Sequence, residues 1–522
     1  MASWPVPSST RVPTLAGALG LAGAAVVSQA LYGLGWDNFL VSDDWFFVYG
    51  VSKIETLAQL AQFFSFDVEA FVRPTQWLLT SGLYRLFGTA PSGYHVVSQA
   101  LDLGNALLVW LLARQLFALT GVADRRSSSL PSALVAVLFL YSWRHHEAVF
   151  WFSAVNELLA CALRLLTLNC LAWSLRTGRD GGAVWLALFV GSGLAMLSKE
   201  SAVTLPVEAL MLVTLARLGS RGTAASWRRG LGLVTAPALV VLVWTWLFVR
   251  TSTLLPGALA RGVSETLTAT PLEWSLRLLQ FFNANYAGTE AVSASEAALT
   301  LELLGLVALA GVALARRRYL WLFAAGWALV AAAPYAAVSH GPDVGLVPVL
   351  ALGVRGDRFL YGSAIGASLV VVASCLWLVQ ELAASRWLPV GRGVAVAAVA
   401  GLLVLHGARL RAAEAEWDVA GRIVRQVTTQ VRAEWPHPEP SDTLCLARLP
   451  HTYGGKPVYR NGVAESLFLA YGRDGFTVER FEHLRDPAAR ARCTATFVYA
   501  GLERGLVKAR LVGLPGGGEG RG

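Results

Sequence analysis

The chain has 522 residues, 55% of them hydrophobic and only 15% charged, with a mean hydropathy of +0.52. Soluble domains carry about 25% charged residues, so an ordinary soluble protein is excluded and a polytopic membrane protein is expected. The net charge of +9 does not point to nucleic acid, because the basic residues cluster in short loops between apolar runs, as topology determinants do.

The first apolar run, Val12–Leu34, carries no charge and is long enough to cross roughly 30 Å of hydrocarbon. It exceeds the apolar region of a cleavable signal, so a retained anchor is expected, with a cytoplasmic N-terminus and the chain emerging outside. Ser42-Asp43-Asp44-Trp45 follows, an adjacent pair of carboxylates where charge is expensive. On position alone, a solvated acidic loop and a functional pair weigh about equally.

Further candidate spans are Tyr94–Phe117, Leu130–Trp143, Ser153–Leu175, Ala183–Leu197, Ser201–Leu218 and Leu231–Val249. Ala297–Ala315, Tyr319–Val338, Phe359–Leu382 and Val394–Leu405 follow, which makes about eleven transmembrane helices. Within the long loop 35–93, Pro74–Phe87 alternates apolar and polar faces at helical spacing, as does Pro271–Tyr286 with Trp274, Leu278, Phe281 and Phe282 on its buried side. Both are expected to lie in the membrane surface or to cap the bundle.

From Leu410 the apolar runs shorten. Val419, Ile423, Val427 and Val431 form the stripe of one helix. Thr443–Leu449, Phe476–Phe481, Thr496–Tyr499 and Leu506–Leu511 read as strands, with a helix over Val463–Tyr471. The expected organisation is an all-α polytopic membrane domain over 1–409, a small extracytoplasmic α/β domain over 410–515, and a disordered tail over 516–522. The five cysteines have no metal-type spacing. Cys445 and Cys493 are placed to pair if their domain is extracytoplasmic, though sequence does not show that they meet.

Lys/Arg counts in alternate loops set the orientation. Arg125/Arg126, Arg176/Arg179, Arg217–Arg229, Arg316–Arg318 and Arg386/Arg392 mark the cytoplasmic side. The other side receives Asp43/Asp44, His145/His146/Glu147, Lys199/Glu200 and Asp357/Arg358, so the residues with catalytic potential gather outside. Each has a plainer reading: Lys199-Glu200 as an interfacial anchor, Arg358 as a snorkelling residue, and Glu157–Arg164, on one helix face, as a structural pair. Neither a Walker A pattern nor a GxGxxG between strand and helix is present.

The ordered set of these pieces resembles the C class of membrane glycosyltransferases (GT-C), near the protein O-mannosyltransferase-like and TMTC-type members. It comprises Ser42-Asp43-Asp44-Trp45, Arg73-Pro74, Leu86-Phe87-Gly88, Gly93-Tyr94-His95 and His145-His146-Glu147 through Trp151. It continues with Asn156-Glu157-Leu158-Leu159, Leu197-Ser198-Lys199-Glu200 and Asp357-Arg358-Phe359-Leu360-Tyr361, covering roughly residues 35–365. The chain departs from that pattern at Ser142-Trp143, where His-Pro is common, at Asp102, and in having no tetratricopeptide repeats.

The resemblance implies an inverting transfer of a sugar from a polyprenyl-phosphate donor to a hydroxyl of a protein, lipid or glycan acceptor. Asp43, ahead of Asp44, would be the base, and Arg358, with Lys199 and Arg73 behind it, the phosphate partner. Glu200, Asp357 and Tyr361 complete the expected substrate site. His145 and Glu147 would orient the acceptor, hold the base or, with Asp43, bind a divalent metal. The excess of Arg over Lys, with much Ala, Gly and Leu, suggests a GC-rich bacterial genome, and a bacterial inner membrane is the expected location. Two other classes remain open: a lipid or glycan transporter, and a membrane-anchored binding protein without catalysis.

Overall fold

The computed structural model describes residues 23, 36–64, 72–121, 128–219, 224–251, 270–286, 296–338, 357–482, 491–502 and 509–513. Apart from Gly23, the run Val12–Leu34 lies outside them, as does the tail 516–522.

The described chain begins with α1 (Asp43–Ser52), the short α2 (Leu57–Ala61) and α3 (Pro74–Phe87). The long α4 (Pro91–Thr120) leads to α5 (Ser129–Leu140), α6 (His146–Phe150), α7 (Val155–Thr177) and α8 (Gly182–Ser198). Next come α9 (Leu205–Gly219), α10 (Ala224–Thr251), α11 (Pro271–Ala284) and α12 (Glu296–Ala315). The membrane part closes with α13 (Tyr319–Val338), α14 (Ser363–Glu381) and α15 (Leu388–Glu434).

Among the described residues, eight helices are long and apolar enough to cross a membrane. They match eight of the expected runs one by one. The runs at Leu130–Trp143 and Ala183–Leu197 form the shorter apolar helices α5, which stops before the polar turn Trp143–His145, and α8, which covers its whole run and ends at Lys199.

Small residues bring helices together where no hydrophobic drive separates lipid from protein. At the contact of α13 with α14, a Cβ on Gly366 would lie 2.4 Å from Ala328 N and 2.7 Å from Ala324 O. Those are backbone atoms that cannot step aside, so glycine is required there. Ala324, Ala328, Ala331 and Ala364 are buried along the same seam.

The helix α3 is amphipathic as expected, but its polar side faces inward. Gln76 and Thr80 are fully buried, whereas Leu78, Leu86 and Phe87 are exposed. Gln76 donates to Ser153 O at 3.1 Å and accepts from Asn156 Nδ2 at 3.0 Å. Such inversion suits a helix with apolar lipid on one side and a polar site on the other. In α11, Phe281 and Phe282 are buried as expected, and Trp274 and Leu278 pack partly buried beside Phe281.

The 47-residue helix α15 joins the two parts of the molecule without a break, about 70 Å at 1.5 Å per residue. The boundary expected at 409/410 falls inside it. Its apolar first half is largely unburied, while its second half buries Leu410, Trp417, Ile423, Val424, Val427 and Val431. Val419, the first member of the expected stripe, is partly buried.

Beyond it lies a four-stranded sheet of order β4-β1-β5-β6, made of β1 (Thr443–Ala447), β4 (Thr477–Phe481), β5 (Ala495–Leu502) and β6 (Ala509–Gly513). The strand β1 is parallel to β4 and β5, and β6 is antiparallel to β5. A small antiparallel pair, β2 (Thr452–Tyr453) and β3 (Lys456–Pro457), was not anticipated. The helix α16 (Val463–Tyr471) has the expected bounds. Cys445 and Cys493 form a disulfide, with Cα atoms 5.6 Å apart, and so clip β1 to the start of β5.

Candidate active site

The acidic pair divides into two different carboxylates. Asp44 is fully buried. Its Oδ1 accepts from both the backbone N and the hydroxyl of Ser153 at 2.6 Å, and its Oδ2 accepts from Val41 N at 3.1 Å. Burial pushes its carboxyl up to about 7 against the lowering effect of those hydrogen bonds, with the charge of Asp43 adding to the rise. Asp43 keeps 21% of its side chain exposed and faces the C-terminal domain. Arg460 Nη2 donates to Oδ2 at 3.0 Å and Asn461 Nδ2 donates to Oδ1.

Three cations stand nearby, each with a carboxylate of its own. Arg73 precedes Pro74, which disfavours helical backbone at Arg73. It leaves the start of α3 at φ −131° and forks onto Glu200, Nε to Oε1 at 3.0 Å and Nη2 to Oε2 at 2.8 Å. Lys199 is extended at φ −162°, and successive side chains of extended backbone point opposite ways. It therefore turns away from Glu200 to pair with Glu157, whose carboxylate also accepts from Tyr335 Oη at 2.8 Å.

Arg358 binds Glu147 twice, through its guanidinium and through its backbone N at 3.0 Å. Burial pulls the Lys199 ammonium down to about 8. Glu157 opposes that shift, and the charges of Arg73 and Arg358 reinforce it. Lys199 thus feels the charge of both arginines.

Aromatic faces join the two groups. The guanidiniums of Arg358 and Arg460 lie 4.8 Å and 5.3 Å from the centre of the buried Trp151 ring. Phe359 stacks on Tyr335 at 4.6 Å, and Lys199 Nζ is 5.5 Å from the Phe359 ring.

Asp357 does not face this space. It is the centre of a buried network, ion-paired with Arg144 and bonded to His146 Nε2 at 2.7 Å. Burial alone would raise its carboxyl, but His146 and Arg144 outweigh it and hold it at about 2. Trp417 of α15 donates to His146 Nδ1 at 3.0 Å. An indole N–H only donates, so the imidazole proton sits on Nε2, toward Asp357.

His145 and Tyr361 belong to another interior cluster. Tyr361 Oη donates to Asp102 Oδ1 at 2.6 Å, and the fully buried His145 packs on the Tyr361 ring at 4.2 Å. The metal set considered from sequence is therefore not assembled. Asp43 is held by Arg460 and Asn461, Glu147 by Arg358, and His145 lies between Phe139 and Tyr361. Among the described residues no three His, Cys, Asp or Glu side chains converge on a metal position.

The expected pair Glu157–Arg164 is also not formed. Glu157 takes Lys199, while Arg164 takes Glu208 and Thr204 from the next span. Two helical turns separate the pair along α7, and partners across the helix interface are nearer. Sequence reasoning missed Glu157, Tyr335 and Trp151 as members of this site, although the charge of Glu157 in an apolar run was a signal. Arg460 and Asn461 carried none.

No family model and no curated protein matches the chain. Solved structures similar to it include ArnT from Cupriavidus metallidurans bound to undecaprenyl phosphate, at 12% identity and TM-score 0.44, covering 92% of this chain and 93% of that one. Another is the oligosaccharyltransferase AglB from Archaeoglobus fulgidus, in complex with an inhibitory peptide and a dolichol-phosphate. It shows 13% identity and TM-score 0.43, covering 88% of this chain and 64% of that one. The apo form of the Archaeoglobus fulgidus oligosaccharyltransferase gives 14% identity and TM-score 0.45 with the same coverage. At this level of superposition, likeness assigns neither family nor activity.

Proposed function

We propose that the chain is a membrane glycosyltransferase of the GT-C type, which moves a sugar with inversion from a polyprenyl-phosphate donor to an acceptor hydroxyl on the extracytoplasmic face. The observation that carries this reading is one convergence. A partly exposed carboxylate, Asp43, is held by Arg460, whose guanidinium shares the Trp151 ring with Arg358, and the charges of Arg358 and the half-buried Arg73 reach the buried Lys199.

Transfer to a hydroxyl needs a base for the proton and positive charge for the departing phosphate. Asp43 is the accessible base. Asp44 is fully buried against Ser153 and Val41 and holds the start of α1 in place. Arg358, Lys199 and Arg73 receive the leaving phosphate, whose oxygens compete with Glu147, Glu157 and Glu200 for them. An Arg fork matches phosphate as well as carboxylate, so this exchange keeps its geometry. The outward apolar face of α3 lies along the lipid chain. The likeness to the undecaprenyl-phosphate-bound ArnT is in keeping with this reading but does not bear its weight.

The test is release of label from radiolabelled polyprenyl-phosphate sugars by the purified protein in the presence of membrane extract. Asp43→Asn is expected to lower turnover by about 10²-fold or more. Near-wild-type turnover in both Asp43→Asn and Asp44→Asn would sink the proposal.

A further inference from the structure

The segment Val458–Gly462 of the C-terminal domain is built into the start of α1. Ser42 N donates to Val458 O at 2.9 Å, and Asn461 N donates to Ser42 Oγ at 3.3 Å. Ser42 itself has φ +49°, a left-handed backbone rare for a residue with a Cβ. Gly462 has φ +77°, and a Cβ there would stand 2.1 Å from Ser42 O and 3.2 Å from Trp45 Cβ. Only glycine allows that approach.

The segment is anchored from behind by Tyr459, which is 1% exposed and whose Oη donates to Val424 O of α15 at 3.2 Å. Arg480 also binds Tyr459 O. The two residues that meet Asp43 therefore stand on a fixed base.

We infer that Arg460 and Asn461 are positioning residues of the active centre, supplied by the C-terminal domain to hold the Asp43 carboxylate toward the acceptor. This inference rests on the glycosyltransferase reading above. Arg460 fixes Oδ2 and lies against Trp151, the ring that Arg358 covers too, so one aromatic ring links the residue holding the base to the phosphate partner. Asn461 fixes Oδ1 while its backbone N holds Ser42. A carboxylate with both oxygens engaged has one rotamer, and such ordering acts on the chemical step rather than on donor binding. The membrane part alone then holds an incomplete site.

The experiment uses the full-length purified chain and a panel of undecaprenyl-phosphate-linked hexoses and pentoses, with membrane extract as acceptor. Arg460→Ala is expected to lower kcat about 10²-fold with the donor KM within about twofold. Arg460→Lys should recover part of the loss, and added guanidinium should rescue Arg460→Ala but not Asp43→Asn. Asp474→Asn is the control for docking alone. It removes the exposed contact of the same domain with Tyr49 and Lys53 and should turn over as wild type.

Wild-type kcat in both Arg460→Ala and Asn461→Ala, with Asp43→Asn inactive, overturns this inference and leaves the glycosyltransferase reading standing. So does a loss in Asp474→Asn equal to that in Arg460→Ala. Wild-type turnover in Asp43→Asn overturns this inference, and the same result in Asp44→Asn as well, or no consumption of any donor by wild type, overturns the reading itself.

Discussion

Trp417, on the part of α15 that has left the apolar span, donates its indole N–H to His146 Nδ1 at 3.0 Å. Through His146 Nε2 that contact reaches Asp357, the residue before Arg358. The long helix thus connects the C-terminal domain to the loop carrying the phosphate partner. Trp417→Phe keeps the buried ring but leaves His146 Nδ1 without a donor. A loss of about 1–3 kcal/mol is expected, read as a lower melting temperature in detergent. An unchanged melting point would mean that the hydrogen bond contributes nothing.

The buried Asp44 makes stability depend on pH. Its folded-state value of about 7 lies well above the ordinary aspartate value near 3.8. The unfolded chain therefore ionises first as pH rises. Stability is fully present below the unfolded value and is lost as pH climbs through the folded one. About 3 kcal/mol of that loss falls between pH 5 and pH 8. Wild type should lose ground against Asp44→Asn over that range, measured as the difference in melting temperature at the two ends. A wild-type melting temperature that rises with pH relative to that of Asp44→Asn contradicts the assignment.

Lys199 makes donor use depend on pH in the alkaline range. With its ammonium pulled down to about 8 by burial, raising pH removes one of three charges from the proposed phosphate site. The donor KM should rise about tenfold between pH 7 and pH 9. Lys199→Arg, which keeps its charge, should flatten that rise, and Lys199→Met should show a high KM throughout. Steady-state kinetics across the range decides it.

The Cys445–Cys493 disulfide closes a loop with a sequence separation of 48. Chain-entropy arguments put its contribution to the C-terminal domain at about 4 kcal/mol. Replacing both cysteines by serine should expose β1 and β5 to proteolysis at concentrations that leave wild type intact. Because the same domain carries Arg460, turnover should fall with it. Equal resistance of the two proteins would show that the sheet stands without the clip.

Periodicity and run length carried much of the fold. Eight spans, α3, α16 and three strand positions follow from where apolar residues recur and where Pro, Gly and charge interrupt them. Those are local properties, and burial of an apolar face needs only local agreement. The helix at Leu130–Trp143 stops at Leu140, since hydropathy does not register where a polar turn ends a helix, whereas Ala183–Leu197 is helical throughout. The same reasoning also gathered Asp43, Glu147, Lys199, Glu200 and Arg358 into one region, because charges that interrupt membrane runs on one side have few places to go.

What each charge does was decided only by tertiary structure. Adjacent in sequence, Asp43 and Asp44 differ in whether Ser153 or Arg460 reaches them, and Lys199 and Glu200 point to Glu157 and Arg73 rather than to each other. Asp357 and His145, chemically equipped for a site, are spent on buried networks with Arg144, His146 and Tyr361. Arg460 lies more than four hundred residues from Asp43 along the chain. Hydropathy is a property of single positions and is legible in order along the chain. A carboxylate's burial and partner are properties of the space around it, and that space exists only once α15 has folded the C-terminal domain back onto α1.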